Sequence, residues 1–436
     1  MRVVKIMAAT LALGLGAVSA ISASATTPAA ILATKKITVP LSNEYNDVVQ
    51  VAASGTSWLI VGNLDKDTVT GSTLFPSEAS IGGTDGYLTM LDSSLNPVWT
   101  HRFGTANDDV ATALTRDSAG VIWTVGVSTK QVEPTPVSSP TQSPAVIPTF
   151  NPDGVATVSP TVAPAVADQL LVSSWNSAGQ LLTQSVQTIA SGVALNPTSA
   201  VVGNSGIYVV GTAVNATTGI SQGFYVLVAK DGSIGSVHWL GVKAVVLRSA
   251  AVLSNGTLMV AGSIAETLKG RLAIGPVDGF IAVVNPISGA IIRTQRSGNK
   301  SVARSWESIS VDRQGYALAV GPAIGSKSEV VASSFTSTGA VKFTLRLANP
   351  VGTQLAVSPP TGAFAALAVA ANRPGKSSIE AFLTPIATNG RLLRPTYLVG
   401  LASSGLMAGA VGTGYLLVSG NPGMLTVAWF TPRSEK

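Results

Sequence analysis

The chain has 436 residues, of which 46% are hydrophobic and only 11% are charged, so it is long enough to bury a large core. It contains no cysteine, which excludes disulfide bonds and a lipid attached through cysteine. The formal net charge of +6 is divided unevenly, because residues 26–229 carry six basic and thirteen acidic side chains, whereas residues 230–436 carry nineteen and eight.

The first 25 residues have the pattern of a secretory signal peptide. Arg2 and Lys5 precede an apolar stretch over residues 6–18, and Ala23-Ser24-Ala25 supplies small residues for cleavage. An uncleaved membrane anchor is the alternative, although the apolar stretch is short for a full span. The pattern predicts an exported protein, secreted or attached to the cell surface, with no transmembrane span after cleavage.

A leader over residues 26–35 is followed by a strand at residues 36–42 that has no partner beside it in sequence. The stretch from Gly83 to Gly126 then shows the unit from which the remainder is built. It holds four short segments with strand-like patterns, separated by turns rich in Asp, Ser, Asn and Gly. One unit is therefore predicted to be four short antiparallel strands.

Degraded copies of this unit fill the rest of the chain. One strand of each copy ends in glycine at Gly62, Gly126, Gly211, Gly262, Gly321 and Gly420, with Ala370-Ala371 in the sixth place. Apart from two early insertions, these endings lie about fifty residues apart, which is the length of a four-stranded propeller blade. A β-sandwich is the less favoured alternative, because it has no reason to repeat one order of turns.

The strand at residues 36–42 and a lone strand from Met424 to Thr431 both lack part of a blade, and we predict that they belong to the same one. Six blades, each ordered from the inner to the outer strand, fall at 46–104, 105–190, 191–241, 242–298, 299–348 and 349–399. The seventh takes three strands from residues 400–431 and its outer strand from residues 36–42. The sequence thus predicts an all-β fold over residues 36–432, a seven-bladed β-propeller of four-stranded antiparallel blades, closed by its two chain ends.

Two insertions, at residues 63–82 and 127–167, lie between the second and third strands of their blades. The latter is rich in Pro, Ser and Thr and is predicted to be an extended or disordered segment, either a neutral loop or a tether. In a propeller such connections emerge with the connections between blades on one rim, which we call the upper rim. The tight turns form the lower rim, so a local functional site is expected on the upper rim.

Residues 82–126 (GGTDGYLTMLDSSLNPVW and FGTANDDVATALTRDSAGVIWTVG) closely resemble the bacterial β-propeller repeat of the SBBP type. They share its paired glycines, its aspartate before a small and an aromatic residue, its double aspartate and its Asp-x-x-Gly turn. The similarity is recognisable again over residues 278–321. Proteins of that family are typically exported or surface proteins whose propellers act as scaffolds or binding modules. The repeat has no catalytic residue set, so the resemblance implies a binding role.

No enzyme motif of the GxSxG, HExxH or P-loop type occurs, and we predict no cofactor and no metal. His101 and His238 occupy similar places in outer strands, which favours structural roles. Residues 63–67 have partial calcium-loop spacing but lack the later glutamate. An exported polysaccharide lyase or hydrolase remains an alternative, because four carboxylates lie near inner-strand starts at the channel mouth: Asp47, Asp108, Asp109 and Glu307.

The candidate binding residues lie on the upper rim, and the predicted set is Asp108, Asp109, Lys243, Arg248, Lys300, Arg304 and Trp306. The basic half of the ring is predicted to face an anionic envelope polymer or an envelope protein. Nucleic acid is not expected as a partner, and the protein is predicted to be a monomer. The predicted function is that of a non-enzymatic binding or scaffold module. A further alternative is an envelope-assembly factor that binds client strands at a blade edge.

Overall fold

The structure, a computed structural model, describes residues 29–40, 47–54, 56–65, 74–129, 166–312, 314–326, 328–348, 350–357, 364–372, 379–392, 396–399, 407–411, 414–421 and 424–430. Every regular element within these ranges is a β-strand. The same ranges contain no helix with the length and apolar character that a membrane span requires.

Two strands precede the first blade, β1 (Ala29–Leu32) and β2 (Lys35–Pro40). Blade one consists of β3 (Asp47–Ser54), β4 (Ser57–Asp65), β5 (Thr84–Leu91) and β6 (Pro97–Phe103). Blade two consists of β7 (Asp109–Arg116), β8 (Ile122–Ser128), β9 (Gln169–Trp175) and β10 (Leu181–Thr188). Blade three consists of β11 (Val193–Val202), β12 (Gly206–Asn215), β13 (Ser221–Ala229) and β14 (Ile234–Leu240).

Blade four consists of β15 (Val245–Val252), β16 (Leu258–Ile264), β17 (Asp278–Val284) and β18 (Ile291–Ser297). Blade five has a divided inner strand, β19 (Ala303–Arg304) and β20 (Ser308–Val311), followed by β21 (Ala317–Ile324), β22 (Ser328–Phe335) and β23 (Val341–Ala348). Blade six consists of β24 (Pro350–Val357), β25 (Phe364–Asn372), β26 (Ile379–Ile386) and β27 (Thr396–Val399). Blade seven contains β28 (Met407–Val411), β29 (Gly414–Asn421) and β30 (Met424–Phe430).

These strands form seven separate sheets, which confirms the predicted seven-bladed β-propeller. The middle strands are buried on both faces because each blade packs against the blades on either side. Strand β8 (IWTVGVS) and strand β17 (DGFIAVV) are buried along their full lengths. Both strands are mostly apolar, as two-sided burial favours, and their few polar residues, such as Thr124 and Asp278, are buried as well.

The ring closes where the sequence predicted. Strand β2 pairs antiparallel with β30 in a register that sets Lys35 opposite Trp429 and Pro40 opposite Met424. The predicted strand at residues 36–42 therefore begins one residue earlier, and residues 41–42 lie outside the described part. Trp429 also packs on Trp58 of blade one, with ring centroids 4.7 Å apart, so the last blade is joined to the first through side chains as well.

Strand β1 lies within the segment that the sequence analysis treated only as a leader. It pairs parallel with β27 and adds a fifth strand to the outer edge of blade six. The chain then passes directly to blade seven as β2. The N-terminal segment therefore covers the edge of one blade and completes the next.

The described part of the first insertion, residues 74–82, does not simply extend from the upper rim. Leu74 and Phe75 are buried with Tyr87 and Val427, so they lie between blades one and seven. Thr89 on β5 donates a hydrogen bond to the Leu74 carbonyl over 2.7 Å. Most of the second insertion, residues 130–165, lies outside the described part, and its predicted extended character stays a prediction.

Both histidines lie in contacts between blades. His101 on β6 packs against Gly179 in the lower-rim turn of blade two, and His238 on β14 packs against Gly289 in the corresponding turn of blade four. Each of these glycines has a positive φ, 83° and 72°, and lacks a Cβ that would strike the imidazole ring. The similar positions of the two histidines in sequence thus reflect one repeated packing contact.

A β-bulge interrupts the inner strand near its start in four blades. The register shifts around Val49, Thr112, Thr198 and Arg248, each of which is the extra residue of its strand. The bulge brings the backbone of the inner strand against a glycine of the second strand, which lies within that strand and not at its end as the sequence predicted, as Gly262 does in β16. A Cβ at Gly262 would overlap the carbonyl oxygen of Val246, which explains the repeated glycine in sequence.

Substitution of Gly262 by alanine is therefore expected to lower the free energy of unfolding by about 3 kcal/mol, since the new methyl group meets rigid backbone. The matched control is Gly256→Ala in the same blade. Gly256 has a φ of 80° but nothing within 4 Å of the added Cβ, so only backbone strain of about 1 kcal/mol is expected. Urea denaturation of both variants measures the difference, and equal losses would contradict the bulge explanation.

Candidate functional site

A cavity of about 350 Å³ opens in the centre of the ring. It is lined by the inner strands of blades one to five, and the lining includes the residues at the bulges. In four blades they are Val49, Thr112, Thr198 and Arg248, and in blade five Glu307 takes the equivalent place. In blades one to five the residue at this position therefore contributes to the channel lining.

The position of Glu307 follows from the same geometry. A Cβ at Gly321 would overlap the carbonyl oxygen of Ser305, just as one at Gly262 overlaps that of Val246. Trp306 corresponds to the residue before the bulge and Glu307 to the bulge residue itself. This break also explains why the inner strand of blade five is divided into β19 and β20.

Hydrogen bonds between neighbouring inner strands hold the channel wall together. The Leu114 N–H donates to Gln50 Oε1 over 2.8 Å, and the Ile309 N–H donates to Ser249 Oγ over 3.2 Å. Each acceptor is the residue directly after a bulge. Because the inner strands are hydrogen-bonded to one another, the side chains that face the channel are held in fixed positions.

Arg248 and Glu307 form an ion pair across two adjacent blades. Arg248 Nε lies 3.5 Å from Glu307 Oε2, and the two side chains are 43% and 32% exposed. A pair in such contact with water contributes little to stability. Both groups therefore remain accessible from the channel, and Glu307 is the one carboxylate among the described residues that line the cavity.

The other carboxylates considered for acid–base chemistry organise loops. Asp109 is fully buried and accepts the Thr105 N–H over 2.5 Å. Burial raises the pKa of Asp109, while the hydrogen bonds from Thr105 and Ser128 lower it in part. Asp108 is exposed and accepts the Thr84 N–H over 3.2 Å. The side chain of Asp47 lies outside the described part.

The predicted basic residues divide into two groups. Lys243 and Lys300 are exposed on the connections between blades three and four and between blades four and five, so both lie on the upper rim. Arg304 is half-buried, and its Nη1 donates to Ser297 Oγ over 2.7 Å. Burial, and then the nearby Arg346, lower the pKa of Arg304.

Trp306 does not lie on the rim surface. It is only 1% exposed and packs edge-on against Phe335, with ring centroids 6.1 Å apart. Its indole also covers Gly279 at the start of β17. The structure therefore places Trp306 in the core between blades four and five, where it joins the two blades and does not reach a ligand on the upper rim.

The aspartate that precedes a small and an aromatic residue at the start of the third strand forms a buried ion pair in two blades. In blade one, Asp85 lies 2.9 Å from Arg102 and accepts the N–H groups of Ile81 and Gly82. In blade four, Asp278 lies 3.3 Å from Arg296 and accepts the corresponding loop N–H groups. These carboxylates fix the connection between the second and third strands and add no negative charge to the surface.

No protein-family model matches the chain, and no curated protein matches it at a significant level. The chain is similar to the solved WD40 domain of Neurospora crassa Pan2, with a TM-score of 0.52 and 8% identity over 94% of this chain and 99% of that one. It is also similar to the WD40 domain of Toxoplasma gondii coronin, with a TM-score of 0.47, 10% identity and coverages of 94% and 90%. A third similar structure is the Penicillium chrysogenum alpha-L-arabinanase complexed with arabinobiose, with a TM-score of 0.47, 11% identity and coverages of 73% and 92%.

The similarity to the Pan2 domain shows a shared fold, and the chain is by its sheets a β-propeller. The resemblance of residues 82–126 to the SBBP repeat stays a prediction.

Proposed function

We propose that this protein is an exported, non-enzymatic β-propeller that acts as a binding or scaffold module and holds an anionic partner on the upper rim of blades three to five. The partner is an anionic envelope polymer or an acidic envelope protein. Export is proposed from the signal-like pattern of residues 1–25.

One observation carries the proposal. In blade four, the carboxylates near the upper rim are turned inward, because Asp278 is paired with Arg296 and Glu266 is buried and accepts the Val242 N–H. Lys243 and Lys300 stay exposed beside them. The exposed charges that remain on this part of the upper rim include these two lysines, and a positive field of this kind attracts anions.

Arg248 and Glu307 extend the polar surface from the rim into the channel. Their ion pair is exposed, so an anionic group entering the channel can contact Arg248 in place of Glu307. The hydroxyl-bearing Thr112 and Thr198 stand beside them on the same ring of bulges. This arrangement favours binding of a polar, negatively charged segment.

Neutralising Lys243 and Lys300 together, as Lys243→Gln/Lys300→Gln, is expected to weaken binding of polyphosphate or polyglutamate about tenfold at low salt. The salt dependence of binding should become flatter, because fewer charges contribute. Titration at several ionic strengths measures both effects.

The matched control is Lys230→Gln/Lys342→Gln, which removes the same charge near the lower rim. Equal weakening by both double variants would show that only net charge matters and would contradict an upper-rim site.

A further inference from the structure

The outer edge of blade two differs from the other blade edges. Strand β10 has eight residues, LLTQSVQT, none of which is charged and none of which is proline. Leu181, Leu182 and Val186 are 48%, 51% and 39% exposed. An edge strand that is long, neutral and apolar is a ready template for another strand, because alternate N–H and C=O groups point away from its own sheet.

Three other outer edges are contacted by another part of the same chain, either a paired strand or a hydrogen-bonding side chain. Strand β1 pairs with the edge of blade six. In blade one, Glu78 Oε2 accepts the Arg102 N–H over 2.6 Å, and in blade four, Lys269 Nζ donates to the Ile291 carbonyl over 2.9 Å. These contacts satisfy backbone groups that would otherwise face solvent at the edge.

The remaining described edges carry other protections. Strand β2, the outer strand of blade seven, contains Lys35 and Lys36, and β23 of blade five contains Lys342 and Arg346. Strand β14 of blade three is uncharged but contains Gly235, and four of its seven residues are half-buried or buried. Charged side chains and glycine both disfavour the addition of a strand.

The two faces of β10 have different surroundings. Thr183 and Ser185 lie against Gly232 in the lower-rim turn of blade three. Leu182, which is the extra residue at a register shift in β10, and Val186 are both exposed. Within the described part of the chain no strand other than β9 pairs with β10, so a strand added to this edge would meet its outward backbone groups and the exposed side chains of Leu182 and Val186.

We propose that β10 binds an extended, uncharged peptide segment of a partner protein by strand addition. The contact between β1 and β27 shows that a short neutral segment, AAIL, fits the edge of a blade in this ring. A peptide is favoured over a second copy of the chain, because one strand pair buries much less than the about 800 Å² per partner of a stable interface. This site is independent of the basic upper rim, and either proposal can fail alone.

The test uses the full chain and a synthetic peptide with the neutral sequence of residues 27–34, TPAAILAT. Saturable binding is expected, with slowed amide hydrogen exchange over residues 181–188. The variant Leu182→Lys/Val186→Lys should lower the affinity at least about tenfold, since charges on an edge strand oppose pairing. The control Ser236→Lys places a charge on the exposed part of β14 and should leave the affinity unchanged.

Hydrogen exchange on the unaltered chain keeps the test independent of any folding defect in the variant. Peptide binding without protection of β10, protection of blade six instead, or an equal effect of Ser236→Lys would each overturn the proposal. Absence of peptide binding would overturn it as well. A concentration-dependent dimer that is abolished by Leu182→Lys/Val186→Lys would identify a second copy as the occupant and would equally overturn the peptide assignment.

Discussion

Removal of residues 26–40 is expected to lower the free energy of unfolding by more than about 4 kcal/mol or to prevent folding. The deletion removes the outer strand of blade seven, whose six residues pair with β30 along its full length. It also takes Ile37 away from the core shared by blades one and seven. The exposed edge of β30 would then promote aggregation. Urea denaturation followed by tryptophan fluorescence measures the loss.

The matched control removes residues 26–34 alone. This shorter deletion eliminates β1, in which Leu32 is 75% exposed, but leaves β2 in place. Its effect should be well below that of the longer deletion, because the six pairs between β2 and β30 are retained. Equal stability of the two truncated chains would show that closure does not depend on β2.

A disulfide provides a second measurement of the same closure. Thr38 and Thr426 stand opposite one another in β2 and β30, and the chain has no other cysteine to interfere. The pair Thr38→Cys/Thr426→Cys should crosslink under oxidising conditions and stabilise the fold by up to about 5 kcal/mol, because it closes a loop of nearly the whole chain. The pair Ile37→Cys/Thr426→Cys is one residue out of register and should not crosslink.

Substitution of Asp278 by alanine is expected to destabilise the protein by about 3–5 kcal/mol, which is the usual effect of leaving a buried charge without its partner. The Asp278 side chain has no exposed surface, and that of Arg296 is only 4% exposed. The N–H groups of Ile274 and Gly275 would lose their acceptor in addition. Thermal and urea unfolding of the variant test this expectation.

Two controls separate the buried charge from a general effect of losing a carboxylate. Asp231→Ala removes an exposed carboxylate that accepts the Ser233 N–H in a lower-rim turn, and about 1 kcal/mol or less is expected. Asp278→Leu/Arg296→Met removes both charges and should be less damaging than Asp278→Ala alone. If the double variant is the less stable of the two, the lone guanidinium is not the cause of the loss.

The fold could be predicted because its signals are local and repeated. In blades two to six the described tight turns contain glycine at a positive φ, as at Gly120 and Gly179, whereas the turn before β6 has Leu95 in that conformation. The closing pair followed from two strands that have no neighbour in sequence. Strand β1 could not be predicted in the same way. Its four residues pair in parallel with Thr396–Val399, almost a whole chain length away, and no turn or periodic pattern links them.

The candidate site could be predicted only in part. Glu307 was expected near the channel mouth and Arg248 on the upper rim, and the structure places both in the cavity lining. Their ion pair and the neighbouring Thr112 and Thr198 were not predicted. The expectation for Trp306 was wrong because a bulge breaks the alternation of an inner strand. The residue before the bulge turns into the core and the next one turns into the channel.

The amino-acid sequence by itself determined the number of blades, the order of strands within each blade and, in six blades, the glycine of the second strand. These features depend on contacts between residues close in the chain, so the pattern of turns and apolar positions is enough to specify them. Only the tertiary structure decided which side chains share the channel, which carboxylates form buried ion pairs and which blade edge carries an added strand. Those outcomes depend on how neighbouring blades pack against one another. Residues that are distant in sequence meet in these contacts between blades, and no local sequence pattern indicates which of them meet.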